Sequence, residues 1–346
     1  MRLGRFLIAA GLAMSWSMGI PAQAEAPLYN LVKTVPIGAP DRWDYVVFDP
    51  IYGRVYVAHS DKVTVLDGTT GQILGNVEGM PGGTHGIAVY HPGGKGYTDD
   101  GKAGVAVVFD LKSLKPIKTV KAEPDADGVV FDAASGHIFV IDGDSGKLTV
   151  IDPKNDGVIA TIDGGGGLEF GLSGENGKFY VDGAEKNELV RVDTKSNTVD
   201  AHWPLNGCVR PHGLAIDRQT HRLFVSCPNK VMAVVNADTG AVVASLAIGE
   251  GSDFAEFDPV RHRAFSSNRD GTLSVISEKT PDSFEALPAV QTAFGARTMA
   301  VDPKSGRLYL VTADFVVNEA VPATDPRHRY TAKPGSAKLL IFEPAQ

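Results

Sequence analysis

The chain has 346 residues, with 33 Lys+Arg against 41 Asp+Glu and a formal net charge of −8. It carries no basic run and no basic patch interleaved with aromatics. Such a balance lacks the cations that displace phosphate counterions, so composition argues against nucleic-acid binding.

The N-terminus reads as an export signal. Arg2 and Arg5 are followed by an apolar stretch from Phe6 to Met18, and Pro21 precedes the A-x-A pattern Ala22-Gln23-Ala24. The stretch is too short to span a bilayer, and no later segment is long enough. Residues 1–24 are therefore predicted to be a removable signal and residues 25–346 a single soluble domain, periplasmic or secreted if the source is bacterial. An oxidising compartment and an even cysteine count predict a disulfide between Cys208 and Cys227.

About 320 residues would ordinarily make two domains, but the chain repeats itself. After a solitary apolar segment, Asn30 to Pro36, one unit recurs: a short apolar strand, a turn, a Tyr/Phe-Val strand, a turn, a V-x-V-x-D strand, another turn and a last apolar strand. The first strand of each unit closes on Asp49, His91, Asp132, Ser173, Asp217, Asp258 or Asp302, spaced 41 to 44 residues apart. Seven units of this period predict an all-β fold, a seven-bladed β-propeller of four-stranded blades.

Within each first strand, the positions three and one before the closing residue are apolar, as in Val46/Phe48, Val129/Phe131 and Leu214/Ile216. This period of two puts them on one sheet face, against the neighbouring blade. The position between is small or β-branched in Val47, Val89, Val130, Gly171, Ala215 and Ala300, and Glu256 breaks the rule. Second strands read Tyr56-Val57, Phe139-Val140, Tyr180-Val181, Phe224-Val225 and Tyr309-Leu310. Third strands end in Asp67, Asp110, Asp152, Asp193 and Asn236, whose side chains are expected to cap the following turn. The last unit ends with its third strand, so the segment from Asn30 to Pro36 is expected to supply the missing outer strand and remove an open edge. These Y-V second strands and V-x-V-I-D-x-x-T-G turns resemble the YVTN-type repeat propellers, a group of bacterial extracytoplasmic proteins. The resemblance covers essentially the whole mature chain and implies the fold. Its consensus Asn after Y-V is mostly replaced here, by His59, Asp142 or Cys227 for example.

In a propeller, the loops entering the first strands and those leaving the second strands share one face. Five residues before each closing residue stand Asp44, Gly86, Asp127, Leu168, His212, Asp253 and Arg297, and His85 and Glu169 adjoin the two exceptions, Gly86 and Leu168. The ends of the second strands add His59, Asp99, Asp100, Asp142, Asp182, Asn268 and Arg269. Carboxylates, imidazoles and a guanidinium are thus expected to converge on one channel rim as a binding site. Asp44, Asp127, His212 and Asp253 are the candidate ligands for a divalent metal, although no fixed ligand spacing occurs. The competing reading is that these residues cap strands and solvate a wet channel.

Asp142-Gly143-Asp144-Ser145-Gly146 lacks the distal Glu of a calcium loop and reads as a hairpin turn. Gly164 to Gly167 lacks the G-K-S/T of a phosphate loop. Neither a G-x-S-x-G elbow nor a haem-attachment motif occurs. Trp43 reads either as a ligand platform or as a half-buried packing residue. The long loop 314–336, with Arg327-His328-Arg329-Tyr330, reads as a lid, a partner contact or a strap. Three functions are in view. One is a propeller binding a small molecule or a protein partner at its rim. Another is a metal-assisted hydrolase or lyase like the lactonase-type propellers, with His85 or His212 moving a proton. Last, because its signature chemistry is missing, comes a cofactor-binding propeller similar to the haem d1 or quinoprotein propellers, with a rim His as ligand.

Overall fold

An alternating strand buries one face against whatever lies beside it, and here each blade lies beside two others. The computed structural model describes residues 27–322 and 325–345, and in it the repeats form seven four-stranded antiparallel sheets. The innermost strands are Val46–Asp49, Ile87–Tyr90, Ala126–Asp132, Gly171–Ser173, Gly213–Asp217, Ser252–Asp258 and Met299–Val301. Each touches the next, and the last touches the first, so the ring is closed. The seven-bladed propeller read from the repeat is the fold. The expected signal, residues 1–24, lies outside the described residues. Among the described residues no helix is long and apolar enough to cross a membrane.

Seven hydrophobic clusters fill the seven interfaces between blades. Val46 packs with Tyr309 and Ile341 of blade 7, while Val47, on the opposite face, packs towards blade 2. Aromatic pairs stack across three interfaces, Phe139 on Phe179 at 4.5 Å, Phe224 on Phe257 at 5.3 Å and Phe48 on Tyr309 at 5.4 Å. Second and third strands are buried on both faces, which is why they read as nearly continuous Val, Ile, Leu and Phe. Each such side chain contributes about 1.5–3 kcal/mol of burial. Fourth strands face solvent and alternate, as in Thr198–Pro204.

The N-terminal strand Tyr29–Pro36 pairs antiparallel with Lys338–Pro344 and completes blade 7 from outside. Tyr29 is buried and packs edge-on against Phe265 of blade 6 at 5.7 Å. The third-strand acids cap their turns as expected. Asp67 Oδ1 accepts the N–H groups of Thr69 and Thr70, and Asp193 Oδ1 those of Lys195 and Ser196.

The long loop is a built structure. Phe315–Val317 pairs with Tyr330–Ala332 in a two-stranded hairpin. Phe315 packs on Phe294 at 5.1 Å and on Trp43 at 6.4 Å, so Trp43 is a half-buried packing residue. The Asp41 carboxylate accepts the N–H groups of Gly335, Ser336 and Ala337, fastening the far end of the loop. Cys208 and Cys227 form the disulfide, with Cα atoms 5.5 Å apart, beside the first strand of blade 5.

Candidate functional site at the channel mouth

All seven innermost strands run in the same sense, so the residues that enter them surround one mouth of the channel. The backbone there is pinned. Asp44 N–H donates to Ala58 O, and Thr298 Oγ1 donates to Asp44 O at 2.7 Å. At Gly86 the chain passes so close to blade 3 that a Cβ would stand 2.1 Å from Val129 N. Strand pairing sets His85, not Gly86, level with Asp44 and Asp127, because Ile87 pairs with Thr98 as Val46 does with Val57 and Val129 with Val140. By the same register Glu169, not Leu168, is the blade 4 residue, so counting back five positions from His91 and Ser173 misses by one residue in those two blades.

Asp44, His85 and Asp127, from blades 1, 2 and 3, bring one ligating atom each to within 4.8 Å of one another. His85 Nδ1 lies 2.8 Å from Asp99 Oδ2 and 3.6 Å from Asp127 Oδ1. Asp99 is fully buried and also accepts the backbone N–H groups of His85, at 3.0 Å, and Gly86, at 2.6 Å. On the other side of the mouth Arg297 Nη1 forms an ion pair with Asp253 Oδ2, and His212 Nε2 stands 3.6 Å from Glu169 Oε1. Tyr45, Phe170 and Phe254 meet beneath, with ring centroids 4.6–5.3 Å apart, as an aromatic floor. A side cavity of about 440 Å³, lined by Asp125, Asp127, Glu169, Glu185 and Arg210, opens beside it.

Burial raises most of the acids here. It lifts Asp44 to about 6, against the pull of Arg297 and His85. Asp127 goes well above the carboxylate range by burial and by the charge of Asp44, although its side chain keeps 24% of its surface open. Glu169 rises to about 7 through burial and the charges of Asp253 and Asp44. For His85, burial opposes the charged form, but the hydrogen bond and charge of Asp99, with Asp127 and Asp44, outweigh it and carry the imidazole to about 10. Burial lowers His212, and Asp253 only partly opposes this. The mouth thus gathers more carboxylates than cations and is electrostatically suited to a positive ligand.

Of the residues singled out in the sequence, Asp44, His85 and Asp127 come together, whereas Asp253 is engaged by Arg297 and His212 faces Glu169. Most of the second-strand residues play another part. His59 hydrogen-bonds Thr64 Oγ1, Asp142 accepts Thr149 Oγ1, Asn268 donates to Ser274 Oγ, and Asp100 accepts Gly82 N–H. They are buried links between strands rather than open rim groups. Asp99 is the exception. Sequence reasoning placed all of these residues on the rim alike, and the signal that separates Asp99 is register: it occupies the position that Ile141, an interface residue, holds in blade 3. Asp182 holds the equivalent place in blade 4, beneath Glu169. It is fully buried, with neither carboxylate oxygen hydrogen-bonded.

No protein-family model matches the chain. It is 26% identical over 191 residues to the uncharacterized protein YncE of Salmonella typhimurium and to that of Salmonella typhi, over 53% of this chain and 52% of each relative. The chain thus aligns with about half the length of these curated relatives. Among solved structures it resembles RRP9 WD40 repeats (TM-score 0.75, 9% identity, 93% of this chain and 99% of that one). It also resembles a chain of the mitotic checkpoint complex (0.73, 15%, 100% and 99%) and one of Kuenenia stuttgartiensis hydrazine synthase (0.69, 13%, 86% and 96%). At such identities these likenesses concern the fold alone: the chain is a seven-bladed propeller similar in part to YncE.

Proposed function

We propose that this chain is an extracytoplasmic binding propeller that takes a small cationic ligand, in its simplest form a divalent metal ion, at the mouth formed by Asp44, His85 and Asp127. The observation that carries this reading is the convergence of two carboxylates and an imidazole from three successive blades, with Asp99 holding the imidazole from behind. Once the ion displaces the proton that His85 otherwise carries, Asp/Glu oxygens with one imidazole suit Mn²⁺ or Zn²⁺ better than a purely oxygen-liganding ion, and a carboxylate behind a histidine is a usual support for a ligating ring. The export signal read at residues 1–24 and the disulfide are compatible with a location outside the cytoplasm. Isothermal titration with Mn²⁺, Zn²⁺ and Ca²⁺ tests the reading. Stoichiometric binding that Asp127→Asn weakens at least tenfold supports it, and the absence of any saturable binding overturns it.

A second reading has one observation in its favour. Glu169, raised to about 7, and His212, lowered by burial, face each other at 3.6 Å across the same mouth. A group balanced near neutrality can move a proton, so metal-assisted hydrolysis of a lactone or ester is the activity to assay. Turnover that depends on added metal and is lost in Glu169→Gln favours it.

A further inference from the structure

Glu256 is the one departure from the small residues that line the innermost strands, and nothing at the mouth uses it. It lies on the other side of the aromatic floor. There the channel continues to its opposite opening as a cavity of about 650 Å³, walled by Val47, Val89, Val130, Leu172 and Val301, with Phe170 and Phe254 closing its inner end. That volume is in the range of small-molecule sites.

The charges around Glu256 are already committed elsewhere. Arg218, which lines the same cavity, pairs there with Glu175 at 3.1 Å and donates to Ser173 O at 2.9 Å. His91, at the far opening, is 2.8 Å from Asp49. Among the described residues no cation is within ion-pair distance of Glu256. Its carboxyl is raised to about 7, by burial first, with only weak relief from the Phe257 N–H and the charge of Arg218. Glu256 is half-buried and borders the channel, so a carboxylate there, in a largely apolar wall and with no paired counter-ion, is disfavoured relative to water. A bound cation removes that cost, and the aromatic rings at the inner end favour a cation further.

We propose that this half of the channel is a second ligand pocket, for a small molecule bearing a protonated amine on an apolar body, with Glu256 as its counter-ion. The apolar body lies along the valine wall and the ammonium group meets the carboxylate. This site is separated from the mouth by the aromatic floor and does not rest on the reading given for the mouth.

Hexylamine, hexanol and hexanoate, equal in length and different in charge, test the pocket by isothermal titration at pH 8. The expected result is hexylammonium binding at least tenfold tighter than hexanol, with hexanoate weakest. In Glu256→Gln the amine and the alcohol bind alike. Because the whole chain is acidic, Glu78→Gln, on the exposed outer strand of blade 1, serves as the control for general attraction of cations, and it retains the amine preference. Equal binding of amine and alcohol by the unaltered protein overturns the proposal, as does an amine preference that survives Glu256→Gln. Should Glu256→Gln fold poorly, Glu256→Ala is used with the same outcomes, and a circular-dichroism spectrum and cooperative melting like those of the parent show that the propeller of either variant is intact.

Discussion

His85 Nδ1 donates to Asp99 Oδ2 at 2.8 Å, and Asp99 in turn accepts the backbone N–H groups of His85 and Gly86. One buried carboxylate therefore fixes the position, the orientation and the charge of the imidazole. Asp99→Asn replaces an acceptor by a donor facing donors. It is expected to lower the His85 pKa, measured by NMR titration, and to cost on the order of 1–3 kcal/mol of stability in urea unfolding. Metal affinity at the mouth should fall about 10–100-fold. An unchanged His85 titration would show that the hydrogen bond has no part in holding the ring.

Asp127 and Asp253 have equivalent places in their repeats and opposite circumstances. Asp127 stands among other acids, with only His85 near it. Asp253 is bound to Arg297, which leans on Asp44 as well. Asp127→Asn is expected to raise the melting temperature by roughly 2 °C or more, since repulsion is relieved. Asp253→Asn leaves a guanidinium without its anion and is expected to cost on the order of 1–3 kcal/mol, reduced because both side chains keep some solvent contact. Calorimetry on the two variants reads the contrast, and a shift of the same sign in both would refute it.

Folding is linked to pH through the raised acids. Asp142, Glu169, Glu256 and Glu278 are each lifted to about 7, chiefly by burial. Their folded values lie above the unfolded ones, so the folded state holds more protons between about pH 4 and 7 and stability falls as pH rises through that window. His59 and His212, lowered by burial, act in the opposite sense below about pH 6.5. The four acids outnumber the two histidines, so the melting temperature should be about 5 °C higher at pH 5.5 than at pH 8. Glu256→Gln should flatten the profile. A protein more stable at pH 8 contradicts this account.

The disulfide between Cys208 and Cys227 closes a segment whose ends are 19 residues apart in sequence. In the chain-entropy description, opening such a loop costs on the order of 3 kcal/mol. Urea unfolding of the Cys208→Ser/Cys227→Ser double variant measures it. A midpoint equal to that of the parent protein would mean that blade 5 is held by packing alone.

Tyr29–Pro36 is the outer strand of blade 7, and its loss bares Lys338–Pro344 along one edge. Deleting residues 29–37 should lead to aggregation or unfolding, because an open edge invites further strands. Light scattering and melting curves decide the matter: a monomer melting at the parent temperature would exclude a closing role for this strand.

Much of this protein was determined by sequence alone, because the decisive signals are local. Alternation within five residues sets which face of a first strand is buried. A repeat of 41 to 44 residues sets the number of blades, and the solitary segment from Asn30 to Pro36 was legible as the outer strand that the last unit takes from the N-terminal side. Counting back five positions finds the residues around the mouth in five blades, whereas in blades 2 and 4 the strand register puts His85 and Glu169 there in place of Gly86 and Leu168. What counting does not supply is which side chains meet across the channel. Asp44, His85 and Asp127 meet because strand pairing sets them level with one another, and His85 is one residue away from where counting places blade 2's contribution. Asp253 meets Arg297 rather than the other acids, and Glu256 faces a valine-walled cavity rather than a partner. Those relations join blades far apart in sequence. They depend on how the closed ring sets one strand's direction and depth against another's, and only tertiary packing decides that.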